Sequence, residues 1–285
     1  MSANATLGLA PREAAVLADK LEAAAFADLY AAAPPALAGR LGLGLRHLGG
    51  ATALLAPAMP TTMFNRVIGL GLDRPACAAD LAELRQIYAQ AGSRDWWLHW
   101  NPFAEPADGA LWLTGQGFAP QARLSWAKML RVTHSPSPFQ TSLSVAAATS
   151  DQVGATAACI AKAFDMPPFM ADWLAALYGR AQWRLYCIAA GAQVVGGACM
   201  FMDTVAGQRV AWLGMGAVVA SQRRRGGQAA AMALRIADAE AAGCRWVATE
   251  TGEPVGDESN PSLANMQRAG FERVASRLNF APLAQ

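Results

Sequence analysis

The sequence predicts a mixed α/β (α+β) protein made of two tandem copies of one unit, each copy a mixed central sheet flanked by helices. Three observations carry that prediction. First, a strand end (Trp212 to Val219), an arginine-glycine turn (Gln222-Arg223-Arg224-Arg225-Gly226-Gly227-Gln228) and a small-residue helix follow one another directly. Gly243, a strand over 245–250, a short helix from Asn260-Pro261 and Gly270-Phe271 come next. Second, the series helix, glycine stop, tryptophan-bearing strand, Gly-Phe and final strand occurs twice. Leu84-Arg85-Gln86-Ile87, Ala91-Gly92, Trp96-Trp97 and Gly117-Phe118 parallel Leu234-Arg235-Ile236-Ala237, Ala242-Gly243, Trp246 and Gly270-Phe271. Third, strands over 183–190, 193–203 and 209–219 are joined by turns too short for crossovers and must be antiparallel. The helix-strand alternation after Val219 permits parallel pairing instead.

Composition narrows the function classes. The chain has 285 residues, 54% of them hydrophobic and 15% charged, with a formal net charge of +2. That is a core-forming composition, not a disordered one. Near-neutral charge argues against a general nucleic-acid surface. Residues 1–11 lack a basic segment followed by an apolar run, and no stretch offers about 18 unbroken apolar residues. The expectation is a soluble, unexported, cytoplasmic protein. Five scattered cysteines, with no C-x-x-C pair or histidine cluster beside them, support neither a zinc site nor a disulfide framework. No Gly-x-Gly-x-x-Gly follows an early strand, and no Gly-x-Ser-x-Gly occurs, which disfavours dinucleotide enzymes and serine hydrolases.

In chain order, Pro11 opens an amphipathic helix over 12–30, which Pro34-Pro35 ends. Leu41 to Leu55, turning at Gly49-Gly50, reads as a hairpin. Asn65 to Leu72 reads as a buried strand, Leu81 to Gln90 as a helix capped by Gly92, and Asp95 to Trp100 as a strand. A helix over 107–114 and a strand from Phe118 to about Arg131 close the first copy, residues 1–132. Residues 133–141, with Pro136 and Pro138 among Ser and Thr, read as a linker. In the second copy, residues 142–285, a strand over 143–148, a helix over 150–163 and a helix over 169–178 precede the antiparallel strands.

The turn is where chemistry is expected. Helix starts present free N–H groups and the positive end of the helix dipole, which together bind phosphate, and neighbouring arginines add charge. The order of elements from Ser142 onward resembles the GCN5-related N-acetyltransferases (GNAT family). In that family the turn reads Arg or Gln, two residues, Gly, one residue, then Gly or Ala; here Arg223, Gly226 and Gln228 hold those places, and Gln228 departs from the pattern. The resemblance implies acetyl-CoA as co-substrate and no metal. It implies cofactor contacts from the strand backbone at Gly216, Ala217 and Val218. Further contacts are implied from the turn and helix start, Arg223, Arg224, Arg225, Gly226, Gly227, Gln228 and Ala229, and from Asn260, which is equally suited to cap its own helix. The first copy has Leu72-Asp73-Arg74-Pro75-Ala76-Cys77-Ala78 in place of the glycine turn, and so reads as degenerate. On this reading a bulky residue at Gly226 abolishes cofactor binding and spares the fold.

Acetyl transfer to an amine needs a proton acceptor, an oxyanion donor and help for a departing thiolate. The resemblance puts an N–H near Val218 at the oxyanion. The tyrosine that the family often uses as acid corresponds here to Met266, which donates nothing. Asn265 is the neighbouring candidate, about 100° around the helix. Glu250, at a strand end where such sheets open, is the candidate base. Cys244 reads as core, and His47, His99 and His134 as satisfied or exposed. The acceptor expected is an amine of a small molecule or peptide. The alternative is a non-catalytic acyl-CoA-binding or regulatory protein of the same fold.

Overall fold

The computed structural model describes residues 7–134 and 139–283. Residues 135–138 of the expected linker lie outside them. The expected elements are present, with two corrections. The buried strand near 65–72 is only Arg66–Ile68, because Gly69 and Gly71 take positive φ (90° and 82°) and turn the chain out of the sheet. The proline pair does not merely end the first helix: Pro35 is the first residue of a second one, where a missing N–H costs nothing.

The strands are β1 (Gly44–Leu48), β2 (Ala51–Leu55), β3 (Arg66–Ile68), β4 (Trp97–Trp100), β5 (Phe118–Val132), β6 (Ser144–Ala147), β7 (Trp183–Ala190), β8 (Gln193–Val205), β9 (Gln208–Val218), β10 (Trp246–Gly252) and β11 (Glu272–Pro282). The helices are α1 (Pro11–Ala31), α2 (Pro35–Leu41), α3 (Ala78–Ala91), α4 (Gly109–Gly115), α5 (Val153–Ala163), α6 (Met170–Ala175), α7 (Gly227–Ala241) and α8 (Pro261–Arg268).

All these strands form one sheet in the order β1-β2-β3-β4-β11-β5-β10-β9-β8-β7-β6. Two parallel pairs, β3/β4 and β9/β10, each span a helix, α3 and α7; the other pairings are antiparallel. The centre is interleaved. β5, which precedes the expected linker, lies between β10 and β11 and pairs with β10 from Trp246↔Val132 to Gly252↔Trp126. β11, from the end of the chain, lies between β4 and β5. Strands from both sides of residues 133–141 therefore alternate at the centre of one sheet.

Side-chain alternation across the strands sorts the core into two faces. One face is a single cluster running from Leu54 and Ile68 through Leu130 to Trp212 and Trp246, and it is covered by α1, α5 and α6. α1 buries Ala14, Leu17, Ala18, Leu21, Ala25 and Leu29, the three- and four-residue spacing of a helix stripe, and touches strands from both ends of the sheet. The opposite face carries two separate clusters, one against α3 and one against α7 and α8. Trp97 lies on the same face as Trp246, whereas Trp96 stacks on Tyr88 (4.3 Å) on the other. Among the described residues no helix is long and apolar enough to cross a membrane.

Candidate functional site

The sheet opens where β9 and β10 part. They pair only through Val210↔Trp246, Ala211↔Val247 and Trp212↔Ala248, yet β9 runs on to Val218 and β10 to Gly252. The cause is a bulge in β9: the register with β8 jumps between Gly197↔Ala217 and Cys199↔Gly214, and Met215 takes φ 50°. Gly214 is required beside it, because a Cβ there would lie 2.0 Å from the Trp212 ring. Beyond the bulge, the β9 edge at Gly216–Val218 faces open space instead of a neighbouring strand.

The turn follows directly. Arg223 Nε donates to Val218 O (3.1 Å), which fixes that side chain beside the open edge. Arg224 sits at φ 62° and Gly226 at φ 77°. A Cβ at Gly226 would also meet the backbone oxygen of Gln140 at 2.1 Å. The expectation that a bulky residue there spares the fold is therefore corrected: the positive φ and the Gln140 backbone both oppose it. α7 starts at Gly227, and its first intrahelical bond is Ala230 N to Gly226 O (2.9 Å), so the N–H groups of Gly227, Gln228 and Ala229 belong to the first turn, where helices leave donors free. Arg225 turns away: its Nε and Nη2 donate to Ser142 Oγ (3.0 and 2.8 Å), and Thr141 Oγ1 donates to Arg225 O (2.7 Å).

These residues enclose a cavity of ≈ 580 Å³. Gly216, Ala217, Val218, Arg223, Arg224, Gly226, Gly227, Gln228 and Ala229 line it; Arg225 and Asn260 do not. Its far wall is α8, through Pro261, Ser262, Asn265 and Arg268, and no carboxylate lines it. Gln228 swings toward that wall: its Nε2 donates to Ser262 Oγ (3.2 Å) and its Oε1 accepts from Asn265 Nδ2, while Asn265 Oδ1 accepts from Arg268. Asn260 caps α8 by accepting from Leu263 N (3.0 Å) and donates to Gly252 O. Met266 is buried in the core behind α8.

Glu250 sits at the parting of the strands but does not line the cavity; its side chain points to the α1 face. It contacts Lys128 Nζ, and Arg277 Nη2 is 3.8 Å away. Lys128 also donates to Glu22 (2.7 Å); Arg66 pairs with Glu22 (2.9 Å), and Arg277 with Glu22 and Asp19 (3.0 Å to the latter). Three buried carboxylates thus face three buried cations, the balance that allows ions in a core. Burial and the nearby Glu22 raise the Glu250 pKa against the pull of Lys128 and Arg277. Burial acts the same way on Glu22, but Arg277, Lys128 and Arg66 outweigh it and hold that carboxyl well below its ordinary range. His99 lies beside this network, buried, with neither ring nitrogen partnered among the described residues, so it is not the satisfied or exposed histidine expected. Burial, then Arg277 and Arg66, push its pKa well down. Cys244 is core, as its place at the strand start suggested.

In the N-terminal stretch that the sequence aligns with the turn, the backbone is paired within the chain: Ala76 N donates to Glu105 O and Glu105 N to Gly71 O, both at 2.9 Å. Arg74 forks onto Asp80 (2.6 and 2.9 Å), and Asp80 accepts from Cys77 N (2.9 Å), which closes the start of α3. A larger cavity of ≈ 700 Å³ lies at the opposite ends of β3 and β4, and no α-helix start lines it. Asn65 there is spent on Ala56 N (2.7 Å), Ala56 O (2.9 Å) and Ser93 (2.8 Å). No group of His, Cys, Asp and Glu suited to a metal ion occurs among the described residues.

Solved structures share this arrangement. A GCN5-related N-acetyltransferase from Kribbella flavida superposes with TM-score 0.60 at 18% identity, covering 85% of this chain and 90% of its own. A tandem GNAT protein from the clavulanic acid biosynthesis pathway gives TM-score 0.56 at 15% identity, covering 99% of this chain and 96% of its own. A GCN5-related N-acetyltransferase from Sphaerobacter thermophilus gives 0.56 at 15%, covering 81% and 79%. No family model and no curated protein matches the chain in sequence. At these identities the likeness is one of fold: the chain folds as the GNAT acyltransferases do.

Proposed function

We propose that the chain is a cytoplasmic, acetyl-CoA-dependent N-acetyltransferase whose working copy is segment 142–285, acting on a primary amine of a small molecule or peptide. Segment 1–132 is proposed as a second copy whose cleft is closed by its own backbone. One observation carries the reading: a single cavity gathers the open β9 edge at Gly216–Val218, the first-turn N–H groups of α7, and Arg223 and Arg224, with no carboxylate on its walls. A strand edge suits the amides of a pantetheine arm, and the helix start with its arginines suits a pyrophosphate. The Gln228 side chain is held against α8 by Asn265 and Ser262. We assign Asn265 that holding role, since both ends of its amide are already bonded.

In the proposed reaction the amine nitrogen attacks the thioester carbon, the C–S bond breaks, and the amine proton leaves to a base. Glu250, at the parting of the strands and with a raised pKa, is the proposed acceptor of that proton. The double variant Arg223→Gln/Arg224→Gln is expected to weaken acetyl-CoA binding at low salt by roughly tenfold or more, since a hydrogen bond to a charged group is worth about 1.5–3 kcal/mol. An unchanged affinity in a folded double variant would remove the site. The burial of Met266 favours a second reading, a non-catalytic acyl-CoA-binding or regulatory protein. Tight acetyl-CoA binding with no CoA released in the presence of any of a panel of amines would select it.

A further inference from the structure

Arg235 is buried inside α7 and makes no ion pair among the described residues. Its Nε donates to Ala231 O on its own helix (2.9 Å). Its Nη1 donates to Cys199 O of β8 (2.9 Å) and Gly214 O of β9 (3.2 Å), the two residues that face each other at the bulge. Its Nη2 lies beneath Gly216, 3.1 Å from where a Cβ would stand. The groups around it are the Tyr186 hydroxyl, the Cys199 thiol and backbone carbonyls; Asp238, one turn on, is taken up by Tyr186 OH (2.7 Å) and Arg184 (3.6 Å). Burial pushes its pKa down to about 10, so it stays charged at neutral pH.

A buried cation without a counter-ion is costly, and an apolar side chain of similar length would fill the same space. The position of this one is specific. It stands under Gly214–Gly216, the stretch that splays β9 from β10 and leads into the open edge of the cavity. Negative charge created there during acyl transfer would lie in a low-dielectric site above a fixed positive charge.

We propose that Arg235 is a positioning residue for acyl transfer: it holds the β9 bulge open and supplies the buried positive charge that stabilises the thioester oxygen and the departing CoA sulfur. This rests on the acetyl-CoA reading of the cavity. As the amine nitrogen bonds to the carbonyl carbon, the C=O electron pair moves to oxygen. When the C=O bond re-forms, the C–S bond breaks and sulfur leaves with the electron pair as thiolate, while the amine proton passes to the base. Both the oxyanion and the thiolate are anions that Arg235 favours over their neutral precursors.

The test needs no acceptor. CoA is bound to the intact protein and its thiolate followed by ultraviolet absorbance against pH, with the desulfo-CoA complex subtracted to remove the protein's own thiols. The bound thiol is expected to titrate at least about one pH unit below the roughly 8.5 of a free thiol. Arg235→Gln is expected to move it back up by about one unit, and Arg235→Lys, which keeps the charge, to retain part of the shift. A bound thiol that titrates normally in the unaltered protein overturns the proposal, as does an Arg235→Gln complex that titrates like the parent. The first of these does not depend on the variant folding. Failure of CoA to bind at all is a separate result, which removes the cofactor reading and this proposal together.

Discussion

Replacing Arg277 by methionine is expected to cost at least about 3–5 kcal/mol of stability, measured by denaturant unfolding, because it leaves buried carboxylates short of a partner. Arg277 touches Asp19 and Glu22 and stands 3.8 Å from Glu250, with its own side chain fully buried. The loss carries a pH signature. Glu250 already has a raised pKa, and Arg277 is one of the cations restraining it, so the variant raises it further. A pKa raised in the folded state stabilises below the unfolded value, and that stabilisation is lost as pH rises through the folded value. The deficit relative to the parent should therefore widen as pH rises above the ordinary carboxylate range. A variant as stable as the parent throughout that rise would mean the network is solvated and not a buried balance of charges.

Removing β5 should have a still larger effect. A fragment of residues 139–283 lacks the strand that separates β10 from β11 and also lacks α1, which covers one face of the core. It leaves β10 and β11 with unpaired edges and opens a cluster that holds Trp173, Trp212 and Trp246. We expect no cooperative thermal transition from this fragment alone, and recovery of one when a fragment of residues 7–134 is added. A cooperative transition from 139–283 by itself would show that the C-terminal segment is an independent domain and that the shared sheet is incidental.

The order of elements was legible in the sequence because the glycine stops, the Gly-Phe pairs and the arginine-glycine turn are local signals, each with its own backbone reason. Gly92 and Gly226 take the positive φ that such stops and turns need. The interleaving of β5 and β11 was not legible, since pairing partners depend on contacts more than a hundred residues apart, such as Glu250↔Lys128. Part of the buried network did leave a trace. Asp19 and Glu22, three residues apart, lie within the stripe formed by Ala18, Leu21 and Ala25, where a solvated helix would carry no charge. Arg66, Lys128 and Arg277 gave no such sign, because a lone cation in a short strand is as easily placed at a surface. Arg235 lies in the repeated Leu-Arg stretch, and its charge within an alanine-rich helix is the trace it leaves in the sequence. Glu250 was found for its position at the strand end, but its ion partners came from strands and a helix remote in sequence.

The measurement that bears most directly on the central claim is isothermal titration of the full chain with acetyl-CoA. One site per chain is the predicted result, because the β9 edge and the α7 start are open while their proposed N-terminal counterparts are paired with Glu105 and closed by Asp80. Two sites would contradict the closure of the N-terminal cleft, and no binding would contradict the account of the cavity itself.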